Sequence, residues 1–195
     1  MPSGRTHDRI TLWTLPLAAG LALTVTRDAA LTLLVCGGFL FSGLMLGPDL
    51  DVRSLHYKRW GWFRWIWIPY RGSLRHRSPL SHAPITGTVL RVVYLLLWVA
   101  LFIFVSLTIA NEIGQLGWSW EDIAGVMGRS LQRHHSEWLA LIVGLELGAL
   151  SHYVADWSLS TYKRYRSRGW KAVNPFATSR KKRRSSSRRS VSRRK

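Results

Sequence analysis

The sequence predicts an all-α, polytopic membrane protein with four transmembrane helices, an interfacial aromatic segment and a disordered basic tail. Three observations indicate this fold class. Four apolar stretches are long enough to cross a bilayer, tryptophans gather near their ends, and basic residues lie mainly on one side of them. The apolar body excludes a soluble globular protein. The single cysteine, Cys36, excludes a disulfide-stabilised scaffold.

The four predicted spans follow from length and apolarity. A hydrocarbon core about 30 Å thick needs about 20 apolar helical residues, with about 17 as the lower limit. The segments that satisfy this requirement are 10–26, 29–47, 92–110 and 137–157. The first contains Pro16 and is long for the apolar part of a signal peptide, so we expect it to be retained. The fourth carries Glu146, His152 and Asp156, which weaken its insertion.

The tryptophans support the span boundaries. Ten of the eleven lie near predicted span ends or beyond them, where an indole ring meets apolar surroundings while its N–H stays in water. Residues 59–70, RWGWFRWIWIPY, are too few and too charged to span a membrane. We therefore expect this segment to lie in the membrane surface.

Basic residues predict the orientation. Four spans place both termini and the loop 48–87 on one side, and that side, together with Arg91 just before the third span, holds 25 of the 28 lysines and arginines. Because positive loops stay inside, both termini are expected in the cytoplasm of a bacterial inner (or thylakoid) membrane. The predicted domains are a membrane domain, 1–162, with its cytoplasmic loop, and a tail, 163–195.

The tail holds 15 of the 28 basic residues and no acid. Residues 179–195 contain one apolar side chain, Val191, so they cannot form a core and are expected to be disordered. The favoured partner is the anionic headgroups of the bilayer that the tail meets first. Contact with RNA or DNA phosphates is the less favoured alternative.

In this topology, histidines and aspartates from four separate regions face the cytoplasmic membrane level. These candidate metal ligands are His7, Asp8, Asp49, Asp51, His76, His82, His152 and Asp156. The far side receives Asp28, Asp122, His134 and His135, and His56 remains unassigned in the loop. The one-sided distribution predicts a shared metal site.

The fourth span gives the clearest pattern within this set. His152 and Asp156 are four residues apart and share a helical face, as two ligands of one ion must. Gly144 and Gly148 continue that face and would let another helix approach closely. A plain His–Asp hydrogen bond is the alternative. Glu146 lies about 120° away from His152 around the helix and is a poor candidate ligand. A protonated, hydrogen-bonded side chain is favoured there, and a functional carboxylate within the membrane is the alternative.

The loop supplies weaker patterns. Asp49 and Asp51 are two apart in a turn and could present both carboxylates to one ion, although helix capping by Asp49 is the alternative. His76 and His82 flank Pro79 in a loop too long to be only a connector. A pair of surface histidines is the alternative for them.

These motifs resemble a small, mainly cyanobacterial family of uncharacterised metal-binding membrane proteins. The matching features are residues 3–8 (SGRTHD), 48–51 (PDLD), 59–61 (RWG), 76–82 (HRSPLSH) and the His152…Asp156 pair. That family is more loosely similar to inner-membrane metal-dependent hydrolases, which share a Pro-Asp-x-Asp turn and a His-Arg-Gly-x-x-His-Ser-like motif. Here Ser78 replaces the glycine and His82 is displaced relative to Ser81. The resemblance covers about residues 3–160 and implies metal binding.

Imidazoles and carboxylates without a thiolate suit zinc, manganese or iron as a divalent ion. Eight candidates exceed the needs of one ion, so either two ions bind or some residues only support the ligands. Arg77, beside His76, could contact an anionic substrate. Two functions stay open: a metal-dependent hydrolase at the cytoplasmic membrane surface, and a non-catalytic protein that a metal ion stabilises or that senses it. Transport is disfavoured because polar residues are sparse in the spans.

Overall fold

The computed structural model describes residues 4–74, 83–115 and 117–169. Within these ranges the fold consists of α-helices and two short 3-10 helices, with no strand. The α-helices are α1 (Gly4–Thr26), α2 (Ala29–Leu44), α3 (Leu55–Arg59), α4 (Trp67–Ser73), α5 (Thr86–Gly114), α6 (Trp120–Arg133) and α7 (His135–Arg168). The 3-10 helices are Pro48–Asp51 and Gly61–Ile66. The predicted all-α class is confirmed.

Four helices are long and apolar enough to cross a membrane by length and composition. They are Gly4–Thr26, Ala29–Asp51 (α2 together with the first 3-10 helix), Thr86–Gly114 and His135–Ser167. Each contains one of the four predicted spans and extends beyond most of the predicted boundaries. Large apolar side chains on their surfaces, including Trp13, Leu33 and Leu97, are exposed. Such faces are typical of helices surrounded by lipid.

A tight connection joins α1 to α2. Arg27 adopts a left-handed backbone conformation with φ 51°. The next residue, Asp28, is the N-cap of α2, and its carboxylate accepts the Leu31 N–H at 2.9 Å. The hydroxyl groups of Thr26 and Thr32 lie 3.2 Å apart across the connection. Local capping therefore ends one helix and starts the next within two residues.

Glycines bring α2 and α7 together at backbone distance. A Cβ atom on Gly144 would lie 2.3 Å from the Val35 carbonyl oxygen, and one on Gly148 would lie 2.4 Å from that of Phe39. Gly38 approaches α7 in the same way, since a Cβ atom added to it would lie 2.7 Å from the Leu141 carbonyl oxygen. The small-residue face of the fourth span thus permits the close approach that the sequence predicts.

The chain after α2 folds into a cap with a buried core. Trp67 and Tyr70 are buried with Leu46 and Leu50, and the Trp60 indole contacts Trp67 edge to face at 5.1 Å between ring centroids. The membrane-surface position of 59–70 stays a prediction, and the fold adds that this segment has a buried side. Trp62, Phe63 and Ile68 are exposed, whereas Trp67 packs inside because the helical turns give the segment two faces.

Contacts divide the described residues into two units, 4–155 and 156–169. The larger unit contains α1 to α6 and most of α7. The smaller unit is the last part of α7, in which Trp157, Tyr162 and Tyr165 are exposed. The predicted disordered tail, 163–195, begins within α7, which continues to Arg168, and its residues 170–195 lie outside the described residues.

Candidate metal centre

Three chain regions converge at one end of the helices in the larger unit. The first turns of α1 supply His7, which is buried. The start of α1 packs against α3, since a Cβ atom on Gly4 would lie 2.7 Å from the Leu55 side chain. Glycine at this position therefore allows the entry of α1 to sit directly on the short helix α3.

The turn after α2 separates the two carboxylates of the Pro-Asp-Leu-Asp motif. Asp49 Oδ2 lies 3.5 Å from Nε2 of His152. Asp51 is buried, and its charge acts on Tyr70 together with the opposing charge of Arg91. Burial raises the pKa of Tyr70 to about 12. Of this pair, Asp49 shares a group of mutually close ligand atoms with His56 and His152 in the described part of the chain.

His56, on α3, adds an imidazole that the sequence analysis left unassigned. Ser54 begins α3 by accepting the Tyr57 N–H at 3.3 Å. The His56 Nε2–H then donates to the Gly43 carbonyl at 3.0 Å, because a carbonyl can only accept. A Cβ atom on Gly47 would lie 2.6 Å from His56 Cε1, so this ring occupies space that only glycine leaves open.

The electronic state of His56 suits a metal ligand. Burial, and next the proximity of His152, lower its pKa to about 4, so the imidazole is neutral at pH 7. With Nε2 donating its hydrogen, the lone pair lies on Nδ1. Nδ1 is buried and has no hydrogen-bond partner among the residues that the structure describes. A buried nitrogen atom with such a lone pair can serve as a metal ligand.

His152, on α7, lies at the centre of the cluster. It is buried, its ring stacks on His7 with 3.8 Å between centroids, and the His56 ring centroid is 5.4 Å away. Asp49, His56 and His152 each offer a ligand atom, and these atoms all lie within 4.8 Å of one another. Neutral imidazoles together with a carboxylate form a donor set that fits zinc, manganese or iron.

The remaining candidates from the sequence are Asp8, Asp156, His76 and His82, with Arg77 as the proposed anion contact. Asp8 accepts two hydrogen bonds from the Arg59 guanidinium, and Arg59 also donates to the Leu44 carbonyl at 2.8 Å. Asp156 is half-buried, one turn after His152 along the sequence, and begins the smaller unit. Its sharing of an ion with His152 stays a prediction. His76, Arg77 and His82 lie outside the described residues.

The two far-side histidines are distant from the cluster. His135 begins α7, 17 residues before His152, which corresponds to about 25 Å at 1.5 Å per residue. His134 instead contacts the Glu137 carboxylate at 3.1 Å. Both residues are therefore matched controls for the cluster.

A buried arginine lies next to Asp51 and Tyr70. Arg91 is fully buried near the start of α5, and its Nη2 donates to Thr88 Oγ1 at 3.3 Å. From the sequence, Arg91 entered only the count of basic residues on the cytoplasmic side. Its apolar neighbours on the third span were the signal, because an arginine inside such a segment needs polar partners.

Glu146 has a partner that the sequence did not identify. Its Oε1 accepts the backbone N–H of Ile85 at 2.9 Å. Ile85 precedes α5 and has φ 65°, a left-handed conformation that is uncommon for a β-branched residue. A carboxylate here also faces the positive end of the α5 dipole. We assign Glu146 a structural role at the start of this helix.

Comparisons with known proteins bear on this cluster. Residues 2–166 match the family model described as "Uncharacterized metal-binding protein (DUF2227)". A protein of Aquifex aeolicus (strain VF5), described as an uncharacterized protein, is 36% identical over 59 residues. The alignment covers 30% of this chain and 41% of that protein. No solved structure matches the chain.

Proposed function

Because the chain belongs to this family of metal-binding proteins, we propose that it is an integral membrane protein that holds a divalent ion among Asp49, His56 and His152. One observation carries the proposal: ligand atoms of these three residues lie within 4.8 Å of one another, and the buried Nδ1 of His56 lacks another partner among the described residues. His7 stacks beside them and belongs to the same proposed site.

Zinc, manganese and iron are the proposed ions, because the donors are imidazole and carboxylate groups. Asp156, His76 and His82 are proposed as additional ligands on the strength of the sequence pattern. With these residues included, the site has enough donors for two ions, whereas Asp49, His56, His152 and His7 provide enough for one. Metal content per chain distinguishes these cases.

Analysis of metal in the purified full-length protein tests the site. We expect His56→Gln and Asp49→Asn to lose most of the bound ion, while the matched variants His134→Gln and His135→Gln retain it. Circular dichroism checks that each variant keeps its helices. Full metal content in folded His56→Gln would contradict the proposed site. A metal content near two ions per chain would support a two-ion centre.

The proposed reaction is hydrolysis of a phosphate or acyl ester of an amphiphile at the cytoplasmic membrane surface. A divalent ion supplies Lewis acidity and lowers the pKa of bound water when it is present. Asp49 is the accessible group of the cluster, since its side chain is 22% exposed and that of His152 only 1%. Arg77, outside the described residues, is proposed to contact the anionic part of a substrate.

A non-catalytic role is the second candidate, and the burial of His7, His56 and His152 favours it. Structural metal sites are closed, whereas catalytic sites keep an open position. Hydrolysis of nitrophenyl ester and phosphodiester probes separates the two. Activity that chelation abolishes, that zinc or manganese restores, and that Asp49→Asn lacks would support catalysis. A chelator-dependent fall in Tm without activity on either probe would support the non-catalytic role.

The proposed location is a bacterial inner membrane (or thylakoid membrane) with both termini in the cytoplasm. The basic residues support this orientation, since 25 of 28 would lie on the cytoplasmic side. Reporter fusions at the C-terminus and in the α6 region test it. We expect cytoplasmic activity of the first fusion and extracytoplasmic activity of the second, and the reverse result would overturn the orientation.

A further inference from the structure

Helix α6 is strongly amphipathic. Trp120, Ile123, Met127 and Leu131 recur at helical spacing on one face. Trp120, Met127 and Leu131 are 42%, 47% and 49% exposed, and no α6 side chain is buried by the part of the chain that the structure describes. An apolar face this open needs another environment to cover it.

Local signals define where α6 begins but do not cover that face. Ser119 and Asp122 form a capping box: Ser119 Oγ accepts the Asp122 N–H at 3.2 Å, and Asp122 accepts the Ser119 N–H at 2.9 Å. The hydrogen bond from the Ser119 backbone N–H, and next that from the Ser119 hydroxyl, lower the pKa of the Asp122 carboxyl. A helix of 14 residues is nevertheless marginal in water without packing of its apolar face.

The position of α6 in the chain identifies its surroundings. Five residues separate it from α5 and one separates it from α7, and both of these helices are candidate membrane spans. The Asn111 side chain fixes the first connection, with hydrogen bonds of 2.7 and 3.1 Å to the backbone of Trp118. The helix is therefore held within a few residues of two span ends, at the level of the headgroups.

An apolar groove continues from α5 to α6. It has a volume of about 420 Å³ and is lined by Phe102, Leu107, Trp118 and Ile123 among others. The rings of Phe104 on α5 and Trp120 on α6 also stack, with centroids 5.9 Å apart. The exposed apolar surface of the third span thus extends without interruption onto α6.

We propose that α6 lies in the interface of the leaflet opposite the candidate metal centre, with a lipid acyl chain in the groove beside α5. The proposal rests on the membrane assignment under the proposed function and is independent of metal binding. The polar face of α6 carries two acids and two bases: Glu121, Asp122, Arg129 and Arg133. Because this face has no net charge, a zwitterionic lipid is the fitting partner.

Cysteine accessibility in the full chain tests the proposal. A Cys36→Ser background removes the native thiol, and the protein is placed in phosphatidylcholine nanodiscs containing one chain each. Single cysteines replace Met127 or Leu131 on the apolar face, and Gln132 or Arg129 on the polar face. We expect an aqueous maleimide to label the apolar-face positions on the order of tenfold more slowly, the factor that burial of one such side chain implies.

Further measurements give each outcome a meaning. Leu97→Cys reports whether α5 is in the membrane. If this cysteine is protected while both faces of α6 react equally, the α6 proposal is overturned. If the cysteine at position 97 reacts freely, the membrane assignment is overturned. Protection of Met127 only in discs that contain two chains would indicate contact with a second copy and would also overturn it. A diazirine-bearing phosphatidylcholine should label the groove residues. Metal content of the same samples tests the metal centre separately.

Discussion

Asp8 and Arg59 form a two-point ion pair between residues that are 51 positions apart in the sequence. Each partner lies beside a histidine of the cluster: Asp8 follows His7, and Arg59 is three residues after His56. Arg59 also holds the C-terminal carbonyl of Leu44 on α2. One guanidinium thus fixes the relative positions of three chain segments that carry or flank the proposed ligands.

Replacement of Asp8 by asparagine should weaken metal binding without removing a proposed ligand. Groups that orient metal ligands change affinity by about tenfold or more when they are lost. We expect such a decrease for Asp8→Asn and for Arg59→Lys, because lysine keeps the charge but not the paired donors. Calorimetric titration of the metal-free protein measures it, with exposed Arg64→Gln as the control. Unchanged affinity in both variants would show that the ion pair does not position the site.

Addition of a methyl group at Gly148 should separate α2 from α7. The new Cβ atom would lie 2.4 Å from the Phe39 carbonyl oxygen, a backbone contact that no side-chain rotation relieves. Overpacking of this kind costs about 1–3 kcal/mol. We expect Gly148→Ala to lower both Tm and metal content, because His152 lies one turn further along α7.

Gly37→Ala is the matched control for that variant. Among the described residues, no atom outside its own helix turns lies within 4 Å of the added Cβ, and a glycine-to-alanine change inside a helix is favourable by up to about 1 kcal/mol. Its Tm should therefore stay equal or rise. If Gly148→Ala behaved like Gly37→Ala, the close packing of α2 on α7 would be wrong.

Acidification should destabilise the metal-free protein through His56. Its pKa is about 4 in the folded state and 6.5 ordinarily, so the folded state binds fewer protons in that interval. The contribution of neutral His56 to the free energy of unfolding is therefore fully present above pH 6.5 and is lost as the pH falls to about 4. It amounts to on the order of 3 kcal/mol in total. Tm measured against pH in chelator should fall through this window. His56→Gln should flatten the decrease, and an identical profile in that variant would refute the assignment.

The basic tail should be dispensable for metal but needed for contact with anionic lipid. No proposed ligand lies beyond Asp156, so deletion of residues 179–195 should leave bound metal unchanged. Binding to anionic vesicles, measured by sedimentation, should decrease for the truncated protein, and binding of the full chain should weaken with salt because exposed charges are screened. Tighter and salt-resistant binding of the full chain to RNA would instead favour a nucleic-acid partner.

The spans were predictable because apolarity and length alone determine them. The choice between Asp49 and Asp51 was not, since a two-residue spacing in a turn does not say which carboxylate meets His152 and which lies near Tyr70. His56 was missed because its role depends on Gly47 leaving room for the ring. The burial of Trp67 was not predictable either, because a tryptophan-rich segment does not say which of its rings the turns of the cap place inside. Helix α6 was not anticipated, because its glycines and charges obscure a short apolar face.

The proposed ligands are far apart along a chain that has one cysteine. Asp49 and His56 lie close together in sequence, but His56 and His152 are 96 positions apart. An ion bound by both would join segments nearly 100 residues apart in the folded chain, whereas an unfolded chain rarely keeps such a site formed. The ion would then stabilise the folded state by mass action, and the availability of metal would set how often the chain opens to proteases.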